Sequence, residues 1–84
     1  MHISLKLYAT LTDYLPLEAR RENRVELDVP VEATIESIIT PLNMPQKLVH
    51  LVLVNGVYVA PEDRATYRFA ADDVLAIWPP IAGG

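Results

Sequence analysis

The sequence predicts an α+β domain in which a mixed sheet carries one main helix packed across one face. Three observations lead to this prediction. Short stretches of alternating apolar and polar residues lie near both ends of the chain, Asn55-Gly56 interrupts an apolar run, and one stretch with helical spacing lies between them. With 84 residues and no cysteine, the chain has room for one domain whose core needs no disulfide.

The first two strands are predicted from alternation along the chain. Residues 3–8 alternate between apolar side chains that face the core and side chains, Tyr8 among them, that face the other side. Residues 24–29 alternate again before Pro30 ends the strand. Residues 9–23 are interpreted as a loop with one helical turn, so the two strands should form a hairpin with a long connection.

The main helix is predicted to begin after Thr34, a residue type that caps helix N-termini. Four apolar residues after it fall on one helical face: Ile35, Ile38, Ile39 and Leu42. Pro41 should end the helix at about Thr40, because the residue before a proline avoids helical geometry. Residues 43–50 are expected to form a short turn.

The remaining strands follow the helix. Residues 51–54 and 57–59 flank Asn55-Gly56, a pair that tolerates positive φ and is typical of tight hairpins. Residues 74–78 form the last predicted strand, in which alternation directs Trp78 away from the core. The order ββαβββ resembles the ubiquitin-like β-grasp.

The C-terminal part of the chain resembles a known family more specifically. Residues 54–56 (VNG), 69–75 (FAADDVL) and 77–84 (IWPPIAGG) resemble the MoaD/ThiS family of sulfur carriers, and most closely the small subunit of molybdopterin synthase. Such chains typically end in two aromatics, Pro-Pro, two variable residues and Gly-Gly. Two positions depart from this pattern: Asp72 replaces a usual glycine, and Ile77 replaces the first aromatic. Aspartate tolerates left-handed backbone geometry, so the turn should survive.

The resemblance implies that the C-terminal carboxylate of Gly84 is the reacting group. In this family a ubiquitin-activating-type adenylating enzyme uses ATP and Mg²⁺ to adenylate that carboxylate. A sulfur donor, such as a cysteine desulfurase or rhodanese, then converts it to a thiocarboxylate, and the large subunit of molybdopterin synthase receives the sulfur. The carrier would bind no cofactor or metal, and it would be a non-catalytic subunit of a sulfurtransferase.

The chain is expected to divide into a β-grasp domain over residues 1–78 and a flexible tail over residues 79–84. Pro79 and Pro80 favour an extended conformation, and the tail continues with Ile81, Ala82, Gly83 and Gly84. If extended, the tail reaches roughly 20 Å at about 3.3 Å per residue. A Cβ on either glycine would crowd the approach of nucleotide and sulfur.

Tyr8, Tyr58 and Trp78 are the candidate partner-binding residues. Alternation places Tyr8 and Trp78 on the sheet face away from the helix, and Tyr58 lies beside the Asn-Gly turn. Exposed aromatic clusters are typical of interface cores, although partial cover of the sheet is an alternative interpretation. The family resemblance implies that this surface binds both the adenylating enzyme and the synthase large subunit.

Other polar residues are interpreted as structural or solvated. His2 and His50 have no catalytic partner at a recognisable spacing, the pair Asp72-Asp73 fits a turn, and the arginines at 20, 21 and 24 are expected to form a solvated cluster. The sequence therefore predicts no catalytic constellation of the chain's own.

Charge and hydropathy disfavour two classes of partner. The net charge of −4 and the absence of a basic stripe argue against a nucleic-acid binder. The longest apolar run, residues 51–54, is far shorter than the roughly 20 residues that span a bilayer. The N-terminus lacks a signal-peptide layout, so a cytoplasmic protein is expected.

Several alternatives to the molybdopterin pathway remain open at this point. The carrier could serve thiamine, tungstopterin or another sulfur-containing product, or the chain could be conjugated to lysines as ubiquitin is. A β-grasp module that binds protein or RNA without an activated terminus belongs to a different class, and it would tolerate residues added after Gly84.

Overall fold

The computed structural model of the chain describes residues 1–80, within which five strands form one sheet. The strands are β1 (His2–Leu7), β2 (Arg24–Asp28), β3 (Leu51–Val54), β4 (Val57–Tyr58) and β5 (Val74–Trp78). Their order across the sheet is β2-β1-β5-β3-β4. The central pair β1 and β5 is parallel, and the other neighbouring pairs are antiparallel. The predicted mixed sheet of the β-grasp is confirmed.

The strand ends differ from the prediction by one residue. β1 ends at Leu7 because the chain turns at Tyr8, whose carbonyl accepts a hydrogen bond from the Leu11 N–H at 3.1 Å. β2 ends at Asp28 and β4 at Tyr58, each one residue early. The last strand has the predicted bounds.

The connection between β1 and β2 contains more helix than predicted. It forms a 3₁₀ segment over Ala9–Tyr14 and then a short helix, α1, over Leu17–Arg20. Three apolar residues spaced by four, Leu11, Leu15 and Ala19, are buried and attach the connection to the core. That spacing is the sequence signal that the loop interpretation overlooked.

The main helix begins where the sequence predicts. α2 spans Ile35–Ile39, and Thr34 caps it in a capping box. The Ser37 N–H donates to Thr34 Oγ1 at 3.2 Å, and the Thr34 N–H donates to Ser37 Oγ at 2.8 Å. A 3₁₀ turn over Thr40–Leu42 continues from the helix and ends at Asn43, which adopts left-handed geometry with φ of 59°. The helix across the sheet is therefore short, because the chain changes from α-helical to 3₁₀ geometry after Ile39.

The hydrophobic core lies between α2 and one face of the sheet. The central strands β1 and β5 supply most of the side chains that are completely buried, and α2 and β3 add one each. These residues are Ile3, Leu5, Leu7, Leu75, Ile77, Ile35 and Val52, and Leu11 of the 3₁₀ segment after β1 is also completely buried. The opposite side of the sheet, here called the open face, carries the alternate residues of each strand.

The β3–β4 hairpin is linked to the start of β5 by side-chain hydrogen bonds. Asn55 and Gly56 both have positive φ, 51° and 81°, as the predicted turn requires. Asn55 Nδ2 donates to Asp73 Oδ1 at 2.8 Å, and Asn55 Oδ1 accepts from the Val74 N–H at 2.8 Å. Asp72 has a φ of 66°, so the aspartate adopts the left-handed geometry expected at this turn.

We expect Asp73→Ala to lower the free energy of unfolding by about 1–3 kcal/mol. The Asp73 side chain is buried and also accepts from the Ala70 N–H at 2.8 Å, so its loss leaves two donors without an acceptor. Urea unfolding followed by circular dichroism measures the change. Asp13→Ala, at an exposed position, is the matched control, and equal stability of the two variants would contradict the prediction.

Candidate functional site

The C-terminal end of β5, Ile77 and Trp78, is here called the tail root, and the segments on both sides of it hold it by hydrogen bonds. β5 ends at Trp78 in the middle of the sheet. The Tyr8 N–H donates to the Ile77 carbonyl at 3.1 Å, and the His50 N–H donates to the Trp78 carbonyl at 3.1 Å. The chain then leaves the sheet through Pro79, which is half-buried, and Pro80, which is exposed. The predicted tail therefore starts from a rigid point.

A buried arginine supports the segment that carries His50. Arg64 is 9% exposed, and its guanidinium donates to the carbonyls of Val49 at 3.1 Å and His50 at 3.2 Å. These bonds fix the chain before β3, and the His50 N–H in turn bonds to the end of β5. Sequence reasoning missed Arg64, because an isolated arginine in a loop carries no pattern that predicts burial.

An apolar patch lies beside the tail root on the open face. It consists of Tyr8, Leu51, Leu53, Tyr58 and Trp78, with Leu51 opposite Trp78 and Leu53 opposite Tyr58 in the sheet registers. The rings of Tyr8 and Trp78 are stacked, with centroids 4.1 Å apart and planes within 5°. Both side chains are half-buried, so each covers part of the other.

The structure brings two of the three predicted aromatics together and leaves the third apart. Tyr58 is 55% exposed and lies on the edge strand β4. Strand β3 separates it from β5, so Leu51 and Leu53 lie between Tyr58 and the Tyr8–Trp78 stack. The patch is therefore continuous from the sheet centre to one edge, with leucines as its middle part.

The sequence resemblance implies two partners for this patch, an adenylating enzyme and the synthase large subunit, and Trp78→Ala is expected to weaken binding to both by about tenfold or more. The indole is the largest apolar group at the tail root, and its loss leaves the core side of the sheet intact. Isothermal titration calorimetry measures the affinities, and Leu17→Ala, at a position 76% exposed and outside the patch, is the control. Unchanged affinity for both partners would remove the patch from the binding surface.

A polar cluster occupies the other half of the open face. His2 Nδ1 contacts Asp72 Oδ1 at 2.9 Å, and His2 Nε2 contacts Glu26 Oε1 at 2.6 Å. Arg24 Nε donates to Glu26 Oε2 at 2.7 Å, and Ser4 Oγ donates to Glu26 Oε1 at 2.7 Å. His2 thus has the structural role at the surface that the sequence suggested.

These contacts change the protonation of two side chains. Hydrogen bonds to Glu26, above all from Arg24 and then from Ser4, lower the pKa of that carboxyl to about 2. Hydrogen bonds to Asp72 and then to Glu26 raise the pKa of His2 above its usual value of 6.5. The cluster therefore favours a charged imidazole between two carboxylates.

The raised pKa of His2 predicts that its contribution to stability is lost in base. The His2 side chain contributes fully to the stability of the fold at pH values below its unfolded-state pKa of 6.5. This contribution to stability is lost as the pH rises through the higher pKa of the folded state. The difference in unfolding free energy between the protein and His2→Gln should therefore shrink across that window. An NMR titration of the His2 ring measures the pKa, which Asp72→Asn should lower. A His2 pKa at or below 6.5 would contradict this prediction.

Two of the three arginines predicted to form one solvated cluster, Arg20 and Arg24, take part in different networks, and Arg21 is exposed. Arg20 donates to the carbonyls of Leu15 at 3.0 Å and Asp13 at 2.9 Å, which closes the connection after β1. Arg24 belongs to the polar cluster on the open face. The two side chains separate because one lies on a helix and the other on a strand.

Residues 1–80 contain neither a metal-binding cluster nor a membrane-spanning helix. No group of three or more His, Asp or Glu side chains in this part of the chain has the geometry of a metal site. No helix there has both the length and the apolar character needed to cross a membrane.

The fold and the placement of the tail root define a ubiquitin-like β-grasp protein. The Mut7-C ubiquitin family matches residues 1–82, and the chain belongs to this family. A comparison with curated protein sequences found no match.

Solved structures with the same fold come from Haloferax volcanii. The chain is similar to the crystal structure of SAMP1, with 25% identity, a TM-score of 0.68 and 100% of both chains covered. A second crystal structure, of small archaeal modifier protein 1, has 25% identity and a TM-score of 0.63, with 95% of this chain and 98% of that chain covered. The solution structure of the HVO 2177 protein has 22% identity and a TM-score of 0.73, with 100% and 87% covered.

These similarities confirm the resemblance to ubiquitin-like proteins related to the MoaD/ThiS family. Membership in a ubiquitin-like family implies interaction with an activating enzyme. The predicted tail residues Ile81, Ala82, Gly83 and Gly84 lie outside the described residues. Their roles, the partner-binding roles of the three aromatics and the domain boundary at residue 78 remain predictions.

Proposed function

We propose that the chain is a sulfur carrier whose Gly84 carboxylate becomes a thiocarboxylate and donates sulfur in molybdopterin biosynthesis. The observation that carries the proposal is the position of the tail root. β5 delivers Pro79 at the border of the apolar patch, so a partner that docks on the patch lies next to the departing tail. The sequence Pro-Pro-x-x-Gly-Gly after Trp78 supports the same function.

The proposed chemistry takes place on partner enzymes. An adenylating enzyme joins the Gly84 carboxylate to AMP from ATP and releases pyrophosphate. A thiol reductant releases the outer sulfur of the donor's persulfide as hydrosulfide and is itself oxidised to a disulfide. The hydrosulfide then attacks the acyl carbon, the C–O bond to AMP breaks, and AMP leaves with the bonding electron pair. The chain contributes a rigid root, a narrow tail and a docking surface, which together position the reacting carbon.

Intact-mass spectrometry tests the proposal. The purified chain is incubated with a ubiquitin-activating-type enzyme, ATP, Mg²⁺ and a sulfur donor. Replacement of one oxygen by sulfur at Gly84 is expected, followed by loss of that sulfur when the synthase large subunit and its pterin precursor are added. An unchanged mass with several activating enzymes would refute the sulfur-carrier function, and a thiocarboxylate that the synthase does not consume would refute the pterin pathway.

A second candidate function is covalent attachment to lysine side chains. Two of the similar structures are small archaeal modifier proteins, which favours this candidate. The same adenylated Gly84 would then react with a lysine amine, forming an isopeptide bond and releasing AMP. A lysine-containing acceptor peptide in the assay distinguishes the two functions, since a conjugate forms only in the second.

A further inference from the structure

The outer edge of β2 has free backbone groups. The Val29 N–H donates to the Met1 carbonyl at 2.8 Å, and the Leu7 N–H donates to the Asn23 carbonyl at 3.1 Å. Hydrogen-bonded and non-bonded pairs alternate along an antiparallel ladder, so the odd-numbered residues of β2 bond to β1. Arg24, Glu26 and Asp28 direct their N–H and C=O groups outward, where no backbone partner lies within residues 1–80.

An apolar groove runs beside this free edge. It has a volume of about 440 Å³. Strand β2 forms one side of the groove, and α2 together with the turn that follows it forms the other side. The apolar side chains that line it are Leu27, Val29, Pro30, Ala33, Ile38, Pro41 and Leu42. Within residues 1–80, Glu32 is the ionisable residue in its lining, and this side chain is exposed.

We propose that this edge and groove bind an extended, basic segment of another protein as an added strand. A strand hydrogen-bonded to Arg24, Glu26 and Asp28 would direct every second side chain over the groove. Aliphatic side chains match its lining, and a lysine or arginine next to them matches Glu32. A free edge beside an apolar groove is the combination that strand addition requires.

Charge decides between such a segment and a second copy of this chain. Pairing of two β2 edges would bring together two molecules that each carry a net charge of −4, with a Glu32 in each groove. A basic segment meets the opposite potential. This inference does not depend on the chemistry of Gly84. The apolar patch beside the tail root lies on the open face of the sheet, whereas the groove lies on the opposite face.

An NMR titration of the full chain tests the inference. The probe is a blocked synthetic peptide of alternating valine and threonine preceded by two lysines. At millimolar peptide we expect shifts in β2 and α2, together with slower hydrogen exchange of the Glu26 and Asp28 amides. A peptide N-methylated at alternate residues should not bind, since it lacks the required donors.

Charge variants complete the test. A peptide with glutamates in place of the lysines should bind about two- to fivefold more weakly. Glu32→Lys should reverse that preference, whereas Glu62→Lys, an equal charge change at an exposed position outside the groove, should leave it unchanged.

Three results would overturn the inference: no shift at millimolar peptide, shifts confined to the apolar patch, or equal binding of the N-methylated peptide. Binding in the groove without protection of the β2 amides would indicate a bound helix instead, and it would also overturn strand addition.

Discussion

An alanine added after Gly84 is expected to abolish formation of the thiocarboxylate. The proposed chemistry requires a free carboxylate on Gly84, and an added residue converts that group into an amide. The new terminal carboxylate is one residue further along and carries a Cβ, which crowds a cleft shaped for glycine. Intact-mass spectrometry after incubation with the activating enzyme, ATP and the sulfur donor should show no sulfur in the extended protein.

A removable extension separates blocked chemistry from damaged folding. If the added residues carry a protease site that cleaves directly after Gly84, cleavage should restore the sulfur-dependent mass change in the same sample. Ile81→Ala, which keeps the two glycines, should react as the unmodified chain does. An extended protein that still gains sulfur would show that the Gly84 carboxylate is not the reacting group, and the sulfur-carrier proposal would fail.

Ile77→Ala is expected to lower the free energy of unfolding by about 2–5 kcal/mol. Ile77 is completely buried on the central strand β5, where its side chain packs with the rest of the core. A domain of this size has about 4–13 kcal/mol of stability, so the loss is a large fraction of the total. Because Ile77 directly precedes Trp78, partial unfolding of β5 would also release the tail root.

Urea unfolding measures this loss of unfolding free energy, and two further variants serve as comparisons. Ile77→Val keeps most of the side chain and should cost about 0.5–1.5 kcal/mol. Val57→Ala, at a position 67% exposed on the edge strand, should change stability by no more than about 0.5 kcal/mol. A cost for Ile77→Ala no larger than that for Val57→Ala would contradict the placement of Ile77 in the core.

The strands and the main helix could be predicted from local patterns because each pattern has a local physical cause. Alternation identified β1, β2 and β5, the Asn55-Gly56 pair identified the hairpin, and Thr34 identified the start of α2. The segment between β1 and β2 was predicted less well. Its apolar anchors recur every four residues, but Leu11 lies in a 3₁₀ segment, Leu15 follows that segment and Ala19 lies in a four-residue helix. Because no single helix spans the repeat, the segment was interpreted as a loop.

The candidate site was predictable only in part, for a related reason. The sequence placed Tyr8 and Trp78 on one face because side-chain direction alternates along a strand. It did not predict that their rings stack, because this contact depends on the parallel pairing of β1 with β5, which are far apart in the chain. Arg64 and the polar cluster around Glu26 were missed for the same reason.

The sequence by itself determined the fold class, the positions of the strands and of the main helix, and the motif at the tail, since these follow from propensities and periodicities that act over a few residues. Only the tertiary structure decided which strands are neighbours and how the tail root is held. It also placed His2 between two carboxylates and, within residues 1–80, left the edge of β2 free beside an apolar groove. Such features depend on contacts between residues distant in sequence, and the geometry of those contacts is set by packing of the whole core.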